Sequence, residues 1–274
     1  MLRFAGADAG KFLQGQLSND LGRLTPGSIL RAGLHNPQGR TVALLWLAAG
    51  AENEILAMLP RELVEPVASQ LRKYLLRSKL VISDESAAMP LFGAWAQGAR
   101  VVLPDSWALA ADRAVVVGAA KTGHSGTPHM TRQQWRALDI AAGQPQVYAA
   151  TSAQFVAQML NLDCIDAICF TKGCYTGQEV IARAHYRGRV KRRMQRFESL
   201  EPCALNPGDS GQLGDGRAYR VVEALRRPDG RCEFLAVAPL PEADAEPVAR
   251  AGAVARAGEP LHAQALPLTY PLPE

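Results

Sequence analysis

Hydrophobic residues near the N-terminus follow first a helical and then a strand pattern. Asp8 precedes a short helical stretch and is predicted to cap it through its side chain, with one side of the helix formed by Phe12, Leu13, Gln16 and Leu17. NPQGR at 36–40 has turn chemistry, and TVALLWL at 41–47 is the β-branched and aliphatic run of a buried strand. A helix, a turn and a strand are therefore predicted in that order.

Helical spacing returns between Pro60 and Arg77, where the apolar positions are Leu63, Val64, Val67, Leu71, Tyr74 and Leu75. KLVIS at 79–83 is predicted to be a strand, and apolar runs around 100–103 and 114–117 predict two more. The N-terminal half therefore mixes helices with strands.

Two further helices are predicted from the same start signal, a threonine followed three residues later by a glutamine. One begins at Thr131 and runs to Gly143, a natural C-terminal stop. The other begins at Thr151, and its apolar stripe is formed by Phe155, Val156, Met159 and Leu160.

A third capping box, at Thr176 and Glu179, lies within KGCYTGQEVIARAHYRGRVKRR at 172–193. GCY is then predicted to be a turn between a strand and a helix, and EVIARAHY to form that helix. Cys174 would lie just ahead of the helix N-terminus, where the partial charge of the backbone favours a thiolate, and Lys172 would add to this effect. On these residues alone, a reactive thiol that faces a ligand and a purely structural turn both remain open.

The same segment carries unusual charge. Between Val180 and Phe197 there is no acid, while the cations are Arg183, Arg187, Arg189, Lys191, Arg192, Arg193 and Arg196. A solvated helix face normally mixes signs so that neighbouring side chains pair. We therefore expect these cations to be unpaired and to face an anion such as a carboxylate or a phosphate. A merely soluble basic surface is the alternative.

The C-terminal part and the composition limit the class of protein. From about Glu201 onward, glycine, proline and aspartate recur between short apolar runs without a helical period, which predicts a small β-barrel. The net charge of +4 fits an anionic ligand without requiring nucleic acid. MLRFAGADAG does not read as a secretion signal, and the longest apolar run, at 42–51, is about half of a membrane span. We expect a cytoplasmic protein without a membrane partner.

The thiols and imidazoles point to no metal. Five cysteines, an odd number, favour free thiols over a disulfide framework. Three of them are spaced C-x4-C-x4-C, which is not a usual ligand spacing for zinc or an iron–sulfur cluster, so we expect no metal site. The histidines are scattered without a catalytic or metal motif: His35, His124, His129, His185 and His262.

KGCYTGQEVIARAHYRG resembles the signature of the YgfZ-type folate-binding proteins, which are relatives of the aminomethyltransferase (T-protein) of the glycine cleavage system. Other stretches of the chain match that family in the same order: DAGKFLQGQLSNDL, NPQGR, KYLLRSKLVIS, the Gly143-x-Pro145 step and NLD at 161–163. The resemblance covers about the first 195 residues.

The resemblance implies an α+β, aminomethyltransferase-like folate-binding fold, with two interlocked α+β subdomains around a central channel and a C-terminal β-barrel. The implied domains are residues 1–197 and 198–274. Tetrahydrofolate or a folate derivative is the implied cofactor. The implied role is that of a cytoplasmic accessory protein for iron–sulfur cluster assembly or repair in client enzymes, including those that modify tRNA.

The signature cysteine of the family falls on Cys174, which becomes the candidate functional thiol. We expect the folate contacts within the signature and on one preceding helix, at Lys172, Gly173, Tyr175, Gly177, Gln178, Glu179, Arg183, Arg187 and Asp139. The cations would hold the acidic glutamate tail of the folate, or a polyanion such as tRNA.

Two departures from the family pattern concern carboxylates. In aminomethyltransferases a pair of aspartates follows the glycine turn, and here Ala43 and Leu44 stand in those positions, so aminomethyl transfer by that mechanism is not expected. The carboxylate that binds the pterin is expected at Ala141, and Asp139 lies two residues earlier.

Two alternatives to the accessory role remain. One is a folate-dependent one-carbon transferase that uses another acid, Asp139 or Glu179. The other is a tRNA-binding module, against which the aromatic content of 6% and the lack of an RNA-stacking motif both weigh.

Overall fold

The structure, a computed structural model, describes residues 1–96, 106–117, 131–241 and 260–273. The helices are α1 (Ala9–Gln14), α2 (Val64–Arg72), α3 (Arg132–Ala141) and α4 (Gln178–Arg187), with short 3-10 helices at Leu21–Arg23, Arg61–Leu63 and Ala157–Leu160. The strands are β1 (Leu2–Ala5), β2 (Leu30–His35), β3 (Thr41–Ala49), β4 (Glu54–Met58), β5 (Val81–Asp84), β6 (Leu91–Trp95), β7 (Ser106–Ala110), β8 (Arg113–Val117), β9 (Arg192–Pro202), β10 (Ser210–Gln212), β11 (Ala218–Arg226), β12 (Arg231–Pro239) and β13 (Ala263–Leu266).

The chain forms two compact units. The first comprises Met1–Thr131 and Asp166–Gln178, and the second comprises Arg132–Ile165 and Glu179–Glu274. Helices and sheets occur in both, which confirms the predicted α+β class. The predicted division into residues 1–197 and 198–274 stays a prediction.

The first unit contains a five-stranded sheet in the order β2-β3-β4-β1-β5 and a three-stranded sheet in the order β6-β8-β7. The predicted strand TVALLWL is β3, and most of its side chains are buried, with Leu44, Leu45 and Leu47 at 0% exposure. NPQGR forms the turn before it: the Asn36 carboxamide oxygen accepts from the amides of Gln38 and Arg40. Both predictions are confirmed.

The second unit contains a five-stranded sheet in the order β10-β11-β12-β9-β13. A bridge between Leu213 and Leu261 joins the ends of its two edge strands, and the amide of Leu261 donates to Gln212. Phe197 and Phe234 stack inside with ring centroids 5.4 Å apart. The sheet is therefore closed on itself, which confirms the predicted barrel.

Helix α1 confirms the first predicted helix, but the predicted cap is wrong. The Asp8 carboxylate makes no capping hydrogen bond. It accepts instead from the backbone amide of Lys79, 2.7 Å away. The side chain therefore joins the helix start to the segment that leads into β5, a long-range contact that local spacing does not encode.

The helical segment from Pro60 to Arg77 is shorter than predicted. A 3-10 turn precedes α2, which ends at Arg72, so Tyr74 and Leu75 lie beyond the helix. Tyr74 is 49% exposed, and Leu76, at a positive φ of 31°, is 94% exposed. KLVIS leads into β5, while the apolar run at 100–103 and the alanine-rich stretch near 242–257 lie outside the described residues.

Helix α3 confirms the helix predicted after Thr131, and Gly143 ends it at a positive φ of 63°. The helix predicted from Thr151 is wrong. The Thr151 hydroxyl accepts from the amide of Tyr148, 2.9 Å away, and so closes a turn instead of capping a helix. Only a 3-10 turn follows, at Ala157–Leu160.

Helix α4 confirms the helix of the signature segment. The strand predicted before the GCY turn is wrong, because residues 161–172 are also turn, bend and irregular backbone. None of the described helices has the length and apolar content needed to cross a membrane.

Candidate functional site

The residues that lead into the signature segment are bound to the loop after α1 within the first unit. The Ser18 hydroxyl donates to the Ala167 carbonyl at 2.8 Å, and the Ser18 carbonyl accepts from the Cys169 amide at 2.9 Å. The Asn19 side chain donates to the Asp166 carbonyl at 2.7 Å. Two parts of the chain about 150 residues apart are thereby joined through buried polar groups.

Lys172 continues this attachment. Its ammonium donates to the carbonyls of Gln14, Leu17 and Asn19 at 2.6, 2.7 and 2.9 Å. An ammonium has three donors, and all three are used here. Burial lowers the pKa of Lys172 to about 8. The role expected of Lys172 was to activate Cys174, whereas the observed contacts bind the loop of α1.

Tyr175 anchors the other side of the cysteine. It is 7% exposed, and burial raises the pKa of its phenol to about 12. The Lys172 ammonium lies 5.3 Å from the centre of the Tyr175 ring, within cation–π range. The centre of the His35 ring, at the end of β2, lies 6.2 Å from the centre of the Tyr175 ring.

His35 and its cross-strand partner Thr41 form a buried polar pair that the sequence did not suggest. Both are 0% exposed. Neither imidazole nitrogen of His35, nor the Thr41 hydroxyl, has a hydrogen-bond partner among the described residues. Burial lowers the pKa of His35 to about 3, so the ring is neutral at physiological pH. Unpaired buried polar atoms are rare in folded proteins.

Gly177 brings the signature against the NPQGR turn. Its φ is +81°, and a β-carbon on it would lie 2.5 Å from the Asn36 carbonyl oxygen and 3.1 Å from the Cα of Gly39. Gly39 itself has a φ of +70°. At Gly173, in contrast, a β-carbon would have nothing within 4 Å. The two glycines of the signature therefore differ: space requires Gly177 and not Gly173.

Cys174 is exposed and lies between these anchors. Its neighbours on the two sides are the ammonium of Lys172, held by three carbonyls, and the buried ring of Tyr175. The thiol is thus presented on a backbone whose position is fixed by buried contacts. All five cysteines of the chain are free.

The positions of the missing aspartates are fully buried. Ala43 and Leu44 are 0% exposed in β3, where they pair with Leu34 and Gly33 of β2. Neither side chain bears a proton that could be transferred. The described residues also hold no group of three or more histidine, cysteine or acidic side chains suited to a metal.

Helix α4 carries the second part of the signature. Gln178 is half-buried, while Glu179, Arg183 and Arg187 are exposed. Within the described part of the chain, Arg183 and Arg187 make no ion pair, and the same holds for Arg189, Lys191 and Arg192. These five side chains are therefore unpaired cations, as the sequence predicted. Carboxylates and phosphates are anions that such side chains bind.

The prediction that all seven cations are unpaired is wrong for two of them. Arg193 is 3% exposed and makes a two-pronged ion pair with Asp163, with nitrogen–oxygen distances of 2.9 and 3.0 Å. Arg196 bonds Glu233 of the barrel at 2.8 Å. Both acids lie far from the basic stretch in sequence, so spacing gave no sign of them. The NLD motif at 161–163 thus serves to neutralise a buried cation.

Asp139 lies in the second unit, on α3. It is half-buried, and its charge raises the pKa of Tyr148, although burial and Glu223 contribute more. Arg136, one turn earlier, pairs with Glu223 of β11. At Ala141 the expected carboxylate is absent, and the backbone carbonyl accepts from Arg196 at 3.4 Å. Asp139 is therefore the acidic side chain that α3 carries, and its contact with a pterin stays a prediction.

The charges of α4 suit the acidic end of a folate. The exposed guanidinium groups of this helix can donate to the carboxylates of a glutamate tail. In the first unit, the ring nitrogens of His35 and the hydroxyl of Thr41 lack a partner among the described residues but are fully buried. Of these groups, His35 and Thr41 escaped sequence analysis, because their burial without a partner depends on segments distant in sequence.

The chain is similar to known proteins in sequence and in fold. No family model matches the chain. The tRNA-modifying protein YgfZ of Serratia proteamaculans (strain 568) is 32% identical over 256 residues, which cover 82% of this chain and 77% of that protein. The tRNA-modifying protein YgfZ of Shigella dysenteriae serotype 1 (strain Sd197) is 31% identical over 258 residues, with 82% and 78% covered.

The fold is also similar to that of a solved structure, the glycine cleavage system aminomethyltransferase T from Bartonella henselae. The TM-score is 0.63 at 15% sequence identity, and the match covers 87% of this chain and 75% of that one. This likeness confirms the predicted aminomethyltransferase-like fold.

Proposed function

This chain belongs to the YgfZ family, and from that premise we propose that it is a cytoplasmic, tetrahydrofolate-binding accessory protein. In this proposal it supports iron–sulfur cluster assembly or repair in client enzymes, including enzymes that modify tRNA. Cys174 is its functional thiol. The relatives carry tRNA modification in their names, and the fold is one that an aminomethyltransferase shares.

The observation that carries the proposal is the exposure of Cys174 between two anchors, the half-buried Lys172 and the buried Tyr175. A thiol that serves only to pack would be buried, because cysteine is among the residues most often found inside proteins. An exposed sulfur on a fixed backbone is accessible to a client thiol or to a cluster iron. Its role is therefore exchange or transient ligation.

Folate binding is supported by charge. The flat, bicyclic head of tetrahydrofolate is joined to a glutamate tail with two carboxylates, and planar guanidinium groups bind carboxylates well. Arg183 and Arg187 would hold the tail, and Asp139 would accept from the guanidine-like edge of the pterin. Bound tetrahydrofolate would supply a one-carbon carrier.

Aminomethyl transfer is not part of the proposal. In aminomethyltransferases the corresponding strand carries a pair of aspartates. Here those positions are Ala43 and Leu44, both fully buried. A transferase would need Asp139 or Glu179 instead. Turnover of methylene- or aminomethyl-folate that is lost in Asp139→Asn or Glu179→Gln would favour the transferase alternative.

The role of the thiol is tested in cells that lack their own YgfZ-family protein. Cys174→Ala is expected to fail to restore the activity of an iron–sulfur tRNA-modifying enzyme, measured as the modified fraction of its target tRNA. Cys169→Ala, in the same segment and half-buried, is the matched control and is expected to restore it. Full restoration by Cys174→Ala at equal protein level would remove the thiol from the function.

Folate binding is tested by isothermal titration with tetrahydrofolate. The double variant Arg183→Gln and Arg187→Gln is expected to bind at least about tenfold more weakly, since each charged hydrogen bond contributes about 1.5–3 kcal/mol. Lys73→Gln removes an exposed cation of α2's C-terminal end and should leave the affinity unchanged. No heat of binding to the unmodified protein would reject the folate proposal.

One observation favours a second candidate, direct binding of tRNA. Five exposed cations, from Arg183 to Arg192, form no ion pair with any described residue, and phosphates would neutralise them. In that case tRNA affinity would fall steeply with salt, and the slope would decrease by about one for each cation removed. Equal tRNA affinity of the unmodified protein and an Arg189→Gln, Arg192→Gln variant would exclude it.

A further inference from the structure

The barrel of the second unit contains two cysteines where strands β9 and β12 lose their regular register. Arg231 pairs with Pro202, and Glu233 pairs with Glu198, so Cys232 lies at an irregularity between these two pairs. The amide of Cys232 donates to the Ser199 hydroxyl at 2.8 Å. A bulge of this kind redirects side chains relative to a regular ladder.

Cys203 lies directly after β9 and faces the same irregularity. Its amide donates to the Gly230 carbonyl at 3.1 Å, and its carbonyl accepts from the Cys232 sulfur at 3.3 Å. Cys232 belongs to the apolar core of the barrel, and Cys203 packs against that core. The Cys232 sulfur thus lies against the backbone of Cys203, and closeness of the two residues is the first requirement for a disulfide.

The two thiols are not equivalent. Interaction between the two side chains lowers the pKa of Cys203 and raises the pKa of Cys232. Cys203 is half-exposed and Cys232 is 1% exposed. An accessible cysteine thus lies beside a buried one, which is the arrangement of an attacking and a resolving cysteine.

We propose that Cys203 and Cys232 form a dithiol site that a hydroperoxide oxidises to an intramolecular disulfide. In the first step the Cys203 thiolate attacks hydrogen peroxide, which gives a sulfenic acid at Cys203 and releases hydroxide. In the second step the Cys232 sulfur attacks the sulfenic sulfur, and its proton leaves with the displaced hydroxyl as water. The protein loses two hydrogens, and peroxide is reduced to water.

This site is distinct from Cys174, which lies in the other unit. A bond between Cys203 and Cys232 would close a loop that contains β10 and β11, and so would constrain most of the barrel. The oxidised protein is therefore expected to unfold several degrees higher than the reduced one. Oxidation would change the barrel without using the thiol of the signature.

The test uses the full chain, reduced and then freed of reductant, with hydrogen peroxide as the oxidant. Remaining thiols are alkylated, and the tryptic peptides are mapped by mass spectrometry. The expected result is a peptide pair linked through Cys203 and Cys232, which reduction separates. Cys164→Ser, a half-buried cysteine of the same unit, is the control and should still form the link.

Variants resolve the order of the two steps. Cys232→Ser should stop at a sulfenic acid on Cys203, which the reagent dimedone labels, whereas Cys203→Ser should give no label at Cys232. If peroxide modifies the other thiols while Cys203 and Cys232 both remain open to alkylation after unfolding, the proposal is overturned. That outcome is read from the unmodified protein, so it does not depend on the folding of any variant.

Discussion

Gly177 and Asn36 are in backbone contact: a β-carbon on Gly177 would lie 2.5 Å from the Asn36 carbonyl oxygen. The two residues belong to the two most recognisable motifs of the chain, KGCYTGQE and NPQGR. Their contact lies within the first unit and holds the end of the signature segment against the turn before β3. The motifs are thus halves of one substructure, and the exposed thiol of Cys174 depends on it for a fixed position.

Replacement of Gly177 by alanine should disrupt this contact. The positive φ of 81° and the approach of Asn36 both oppose a side chain, and neither backbone group has room to move freely. We expect Gly177→Ala to lower the free energy of unfolding by about 2–4 kcal/mol. Gly173→Ala is the matched control, because a β-carbon there meets nothing within 4 Å. Urea denaturation measures both, and equal stability of the two variants would contradict the argument.

Lys172 is expected to contribute to stability as well as to function. Lys172→Met would leave three carbonyls of the α1 loop without their donor, and we expect a loss of about 2–3 kcal/mol. Lys73→Met removes an exposed ammonium and should change stability by less than about 0.5 kcal/mol. Thermal and urea unfolding give the comparison. Similar stabilities for the two variants would mean that these hydrogen bonds are weak in solution.

The buried imidazole of His35 predicts a loss of stability in acid. Its pKa is about 3 in the folded chain and about 6.5 when unfolded, so between these values the unfolded state binds more protons. Stability from this group is therefore complete above pH 6.5 and falls as the pH is lowered toward 3. From about pH 7 to about pH 4.5 the expected loss is about 2.5 kcal/mol.

His35→Phe should remove this dependence, since phenylalanine does not titrate. His185→Gln, at an exposed position of α4, should retain it. The measurement is the difference in urea unfolding free energy between the two pH values for each protein. An unchanged difference in His35→Phe would show that the imidazole is not the titrating group.

Adjacent arginines on β9 should behave oppositely. Arg193→Gln leaves the buried carboxylate of Asp163 without its partner, and we expect a loss of about 3–5 kcal/mol. Arg192→Gln removes an exposed charge, and stability should stay within about 0.5 kcal/mol. Guanidinium denaturation in high salt distinguishes them, because a buried pair is screened little. Comparable losses would place Arg193 among the exposed cations after all.

Local sequence patterns predicted several helices, strands and turns correctly. Strand β3 followed from its run of β-branched and aliphatic residues, helix α4 from the capping box before it, and the turn at NPQGR from residue types that favour it. The helix expected after Thr151 failed because a threonine hydroxyl can close a turn as readily as it caps a helix, and here it accepts from Tyr148. The same signal, a threonine followed three residues later by a glutamine, occurs at Thr131, and there a helix does follow.

Some residues of the candidate site were identified from the sequence, and others were identified only from the folded chain. The signature identified Cys174, and the cation run identified the exposed charges of α4. The pairing of Arg193 with Asp163, 30 residues away, required the folded backbone. The attachment of Lys172 to the α1 loop and the burial of His35 beside Thr41 likewise involve residues that sequence spacing does not relate.

The sequence alone determined the fold class, the family resemblance and the position of the signature cysteine in the chain, because these depend on local periodicity and on residue types in fixed order. Tertiary structure decided which charges are neutralised and which polar groups lose water. Both are set by distance through space, and an acid or a carbonyl far along the chain is invisible to any window of sequence until folding brings it within about 3 Å.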